Sequence, residues 1–150
     1  MRLWDLTKGD GSPSVTISAR ATLAQAVEMM ITKKASAIIV MDDNDIKGMI
    51  TRSDIMRCLN DSTSVSQAWE IPVDQVMSTR LIAAPPDQPL GQAIKQMVEA
   101  GIGHLPVLEG STVKALFSLN QLLQEENKHL HTELAHLQTY IEALHDAPND

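Results

Sequence analysis

The sequence predicts an α/β fold: two tandem β-α-β-β-α repeats followed by a long C-terminal helix. Three observations predict it. Strand-sized apolar runs alternate with apolar residues at helical spacing across residues 15–59. The pattern then returns without a gap at an offset of 67, so that Leu23, Ala26, Val27, Met30 and Ile31 recur as Leu90, Ala93, Ile94, Met97 and Val98. From Leu119 to Leu144 there is no Gly or Pro, and Leu123, Leu130, Leu137 and Leu144 are spaced by seven. Two copies are too few for a solenoid, and each alone would be marginal, so the copies are expected to bury a shared face.

Taken in order, Leu3-Trp4-Asp5-Leu6 is a short amphipathic piece and Gly9-Asp10-Gly11-Ser12-Pro13 a turn-rich loop. Val15-Thr16-Ile17 reads as a short strand. Thr22 is placed to cap a helix with one apolar face, Leu23 to Ile31. Lys33 and Lys34 close that helix, where cations suit its dipole. Residues 37–41 form a buried strand, Asp42-Asp43-Asn44-Asp45 a turn, and residues 46–50 the hairpin partner. A short helix after Thr51 ends the unit. The domains read as 1–60 for the first repeat with its lead-in, 61–80 for the linker, 81–123 for the second repeat and 119–146 for the C-terminal helix. Within the linker, Trp69, Ile71, Val73, Val76 and Met77 mark a docked segment rather than free chain.

The chain has 150 residues, is 43% hydrophobic and carries a net charge of −7. That charge, with one Phe, one Tyr and two Trp, argues against a nucleic-acid partner. The single Cys58 allows no internal disulfide and fits a reducing compartment. No apolar stretch follows Met1-Arg2-Leu3-Trp4-Asp5, and the longest apolar runs are strand-sized. A soluble cytoplasmic protein without a membrane partner is expected.

The stretch that bears on function is Gly48-Met49-Ile50-Thr51-Arg52-Ser53-Asp54. A hydroxyl and a carboxylate three residues apart at a helix start can hold a phosphate and a sugar hydroxyl. They also make a capping box. The second copy carries Ser118-x-x-Gln121 instead, which keeps the cap and drops the carboxylate. It also has Gly103-His104-Leu105-Pro106-Val107 where the first has Ser36-Ala37-Ile38-Ile39-Val40.

These residues, with Thr22-Leu23-x-x-Ala26 and Gly101-Ile102, make the chain resemble the tandem CBS (cystathionine-beta-synthase-type) domain pair over residues 1–123. The resemblance implies a pseudo-twofold pair with a cleft between repeats, which commonly dimerises, senses adenosine nucleotides and is not an enzyme. It implies that Asp54 accepts from ribose hydroxyls and Thr51 donates to a phosphate. Backbone around Ala37 and at Thr16 and Ile17 would frame the base. The matching site at Ser118 and Gln121, with Ala115 in place of Gly48, is expected to stay empty. No cofactor is expected; AMP, ADP or ATP is the ligand class. The alternative is a ligand-free interaction module with a degenerate cleft. In either case the chain would act on a separate effector protein.

Arg52 either faces a phosphate or is a solvated residue at a helix start. His104 either touches ligand or is an ordinary surface histidine. His129 and His136 lie about 10 Å apart along one helix, too far to share a metal ion, and none is expected. No nucleophile–base set or carboxylate pair suggests catalysis. In the C-terminal helix the leucines, with Asn127, Leu134 and Ile141 interleaved, form an a/d pattern. It predicts a homodimeric parallel coil, or a stripe packed on the chain's own module.

Overall fold

The computed structural model describes residues 1–7 and 15–146. The loop expected at Gly9 to Pro13 and the tail expected from Ala147 lie outside the described residues. The elements are α1 (Leu3–Thr7), β1 (Thr16–Ser18), α2 (Leu23–Lys33), β2 (Ala37–Asp42), β3 (Asp45–Thr51), α3 (Arg52–Asp61), α4 (Val65–Ala68), a 3-10 turn (Val73–Gln75), α5 (Leu90–Ala100), β4 (His104–Glu109), β5 (Thr112–Ser118) and α6 (Leu119–His145). Among the described residues no helix is long and apolar enough to cross a membrane.

The duplication extends to backbone detail. In both repeats a hairpin carries an irregularity at the same place, Val40/Met41 and Val107/Leu108. Both hairpins turn through a left-handed residue, Asp43 and Gly110. Capping boxes start α2 (Thr22, Gln25), α3 (Thr51, Asp54) and α6 (Ser118, Gln121). At α5 the counterpart of Thr22 is Pro89, which gives no side-chain cap but holds φ at −61 for entry.

The repeats differ in their first strand. β1 pairs in parallel with β2, and β2 pairs antiparallel with β3. In the second repeat, among the described residues, β4 and β5 form a two-stranded sheet and the parallel strand shrinks to one bridge, Ala84 to Val107. Pro85 and Pro86 follow directly, and proline has no N–H with which to extend a ladder.

Each repeat has its own core. Ile17, Ala26, Met30, Ile38, Val40, Ile50 and Val73 form one; Leu3, Leu90, Ala93, Met97, Leu105, Val107, Ala115 and Leu122 form the other. Ile39 and its counterpart Pro106 are buried outside both clusters. Strand alternation puts them on the sheet face opposite Ile38 and Val40, and Leu105 and Val107, respectively.

The lead-ins are exchanged. The linker packs on the first repeat: Leu23 N–H donates to Ile71 C=O (2.8 Å), and Val73 N–H to Ala21 C=O (2.8 Å). The N-terminal piece, grouped with the first repeat by chain order, packs on the second. Leu90 N–H donates to Met1 C=O (2.8 Å), Leu3 N–H to Gln88 C=O (3.0 Å), and Leu3 is fully buried. Each helix start is thus bridged by the segment that precedes the other repeat, Thr22 by Pro72 and Pro89 by Arg2.

Candidate functional site

A cleft of about 330 Å³ opens between the repeats. The first repeat lines it with Val15, Lys33, Lys34, Ala35, Ser36 and Ala37; the second contributes His104, Leu116, Ser118 and Gln121. Among the described residues the lining holds two lysines, a histidine and no carboxylate, although the whole chain carries −7. A cleft of one sign concentrates counter-ions, so this one favours an anion.

The end of α2 places the lysines. Lys34 adopts a left-handed conformation, φ 53 and ψ 39, and its N–H reaches the Met30 and Ile31 carbonyls. The counterpart in the second repeat is Gly101, at φ 68. A residue with a Cβ is disfavoured there by about 1 kcal/mol relative to glycine. The counterpart of Lys33 is Ala100, so the cation pair belongs to the first repeat alone.

Across the cleft, Ser118 ends β5 and caps α6. Its Oγ accepts from Gln121 N–H (3.1 Å), while Gln121 Oε1 accepts from Ser118 N–H (2.8 Å). The partial positive charge of the α6 N-terminus therefore lies at the cleft wall. His104 pairs with Ser118 across the hairpin, and its Nε2 lies 2.7 Å from Ser36 Oγ, joining the repeats. Burial, and secondarily the Arg52 guanidinium, hold the His104 pKa below its usual 6.5.

Thr51 and Asp54 occupy the corresponding place in the other half but are bound to each other. Asp54 is buried and accepts from Thr51 N–H (2.9 Å), Thr51 Oγ1 (3.1 Å) and Arg57 (3.3 Å). Thr51 Oγ1 in turn stands 3.5 Å from Asp54 N–H. Both halves of the capping box are in place. The cleft wall is formed by Ser118 and Gln121, the pair expected to stay empty, rather than by Thr51 and Asp54.

The structure distributes the remaining site residues. Ala37 and His104 line the cleft. Thr16 lines a separate groove beside the hairpin turns with Asn44 and Ser111, and Ile17 is buried in the first core. Val15, one residue earlier, reaches the cleft instead. Arg52 lines an apolar hollow of about 530 Å³ with Val27, Ile31, Met56 and Trp69. Sequence reasoning missed Lys33 and Lys34 as cleft residues, taking them for helix-end cations. The available signal was that repeat two has Ala100 and Gly101 there. Among the described residues no group of three or more His, Cys, Asp or Glu is placed to hold a metal.

Comparison with known proteins places these features in a family. The CBS domain family matches residues 11–61 and 73–127. The chain is 29% identical over 107 residues to the CBS domain-containing protein YhcV of Bacillus subtilis, covering 71% of this chain and 74% of that one. It is 30% identical over 106 residues to MJ1225 of Methanocaldococcus jannaschii, covering 69% of this chain but only 36% of that protein. It likewise spans 21% of CBSCBSPB1 of Arabidopsis thaliana. Among solved structures, the CBS-domain protein ATU1752 of Agrobacterium tumefaciens superimposes with TM-score 0.77 at 18% identity, over 84% of this chain and 99% of that one. The CBS domain pair of protein MJ0100, solved with 5-methylthioadenosine and S-adenosyl-L-methionine, gives TM-score 0.73 at 17% identity, over 86% of this chain and 98% of that one.

Proposed function

This chain belongs to the CBS domain family, and from that premise we propose that it is a non-catalytic regulatory pair that takes an adenosine nucleotide in the cleft between its repeats. The observation that carries the reading is Lys34. A lysine occupies a left-handed position where its counterpart is glycine, beside Lys33 and on the cleft. Backbone strain of this kind persists where the site has a use for the side chain. The nucleotide phosphates meet Lys33 and Lys34, with the partial positive charge of the capped α6 start on the facing wall. Val15, Ala37 and Leu116 give the base apolar walls, and His104 stands between as a neutral imidazole. The adenosine ligands in the MJ0100 pair support the ligand class. The occupied pair passes its state to a separate effector protein.

Calorimetric titration with AMP, ADP and ATP tests this. Wild type should bind one nucleotide per chain. Lys33→Ala and Lys34→Ala should each weaken binding by about tenfold, the loss of one charge-assisted contact to phosphate. Lys34→Gly separates site from scaffold: it should raise stability by about 0.5–1 kcal/mol, because the strain is relieved, while it lowers affinity. A Lys34→Gly chain that is more stable and binds as well as wild type would refute the reading.

A further inference from the structure

The two ends of α6 have different surroundings. Near its start Leu122 is fully buried in the second core, with Leu119 packed against the same cluster. From Leu130 to Asp146 every residue is exposed. Along that bare length Leu130, Leu134, Leu137, Ile141 and Leu144 are 52–60% exposed, so the stripe does not pack on its own module. An isolated helical segment of this size is marginal in water, and a bare apolar stripe makes it more so.

The stripe has heptad form. Leu123, Leu130, Leu137 and Leu144 occupy d; Asn127, Leu134 and Ile141 occupy a. We propose that this seam pairs with the same seam of a second copy of the chain as a parallel, in-register two-stranded coil. The polar and charged positions select both the occupant and the direction. A parallel pair sets each a residue against its own copy, so the two Asn127 amides meet and satisfy each other. Any antiparallel register sets a against d, which would bury Asn127 against a leucine without a partner. The flanking g positions are Glu126, Glu133 and Tyr140, and the e positions are Gln124, His131, Gln138 and His145. In the parallel register g faces the next e of the other copy. Glu126 then meets His131, Glu133 meets Gln138, and no like charges face each other. Because Ser118 and Gln121 belong to both the cleft and the helix start, the coil leaves both modules at their cleft side. This inference does not rest on the nucleotide reading.

The full chain with Cys58→Ser and Leu144→Cys tests it under mild oxidation. Parallel d positions come within disulfide reach, so a covalent dimer is expected. Thr139→Cys in the same background, on the outer f position, should not crosslink. An antiparallel coil with Leu144 opposite Asn127 would hold the two residue-144 side chains roughly 25 Å apart. Sedimentation of Leu134→Asp/Ile141→Asp gives an independent reading, because both sites are exposed and the substitutions leave the cores intact. Self-association should weaken by more than about a hundredfold. A wild-type monomer, a dimer in which Leu144→Cys fails to crosslink, or an aspartate variant that associates like wild type would each overturn the proposal.

Discussion

Replacing Asp54 with alanine separates a buried cap from an exposed one within a single chain. Asp54 is 7% exposed and serves Thr51 N–H at 2.9 Å and Thr51 Oγ1 at 3.1 Å. The Arg57 contact adds little, because the Arg57 side chain is 67% exposed. Asp54→Ala removes the reciprocal half of the capping box, and with it the acceptor of the part-buried Thr51 N–H. Leaving that donor unpaired costs about 1–3 kcal/mol, the expected loss. Gln121→Ala is the matched control. It removes an equivalent bond of 2.8 Å, but at an exposed site where water replaces the lost acceptor. Its cost should stay near 0.5–1 kcal/mol. Urea unfolding followed by far-UV circular dichroism measures both, with an unchanged slope confirming that only stability has moved. The difference should appear as roughly 3–6 °C in Tm. Equal losses in the two variants would refute the argument from burial. Asp54→Ala should also leave nucleotide affinity within about twofold of wild type, since the carboxylate is engaged by its own cap. A tenfold fall would put Asp54 on the ligand and sink the capping account.

Two further outcomes follow from the same geometry. Gly48→Ala should destabilise by about 1–3 kcal/mol in the urea assay, because its Cβ would fall 2.7 Å from both Met77 Sδ and Ser78 C=O, and that carbonyl is fixed by paired 2.9 Å bonds to Met49. His104 should make stability pH-dependent: its folded pKa lies below 6.5, so the unfolded chain binds the proton more readily and stability falls as pH drops below about 6.5. His104→Gln should flatten that part of the profile, and an unchanged slope would show that the imidazole is not the group responsible.

How much was legible in the sequence depends on the range of each interaction. Helix and strand periods, the paired capping boxes at Thr51 and Ser118 and the hairpins are local, so the offset of 67 exposed them in duplicate before any contact was known; Thr22 was legible as a cap, but its reciprocal bond from Gln25 was not read. The heptad spacing of α6 was equally visible, because it is a property of one helix. Three things depended on tertiary structure. Pro85 and Pro86 reduced the second repeat's parallel strand to the single bridge at Ala84. The lead-ins crossed over, so Leu3 entered the second core although it precedes the first repeat. Most consequential for function, the packing of one repeat on the other joined the end of α2 to the start of α6. No local pattern relates Lys34 to Ser118, and only the contact between repeats brings the left-handed lysine and the capped helix start onto the same cleft. Sequence spacing determined what each repeat is; the way the two pack determined where a ligand fits.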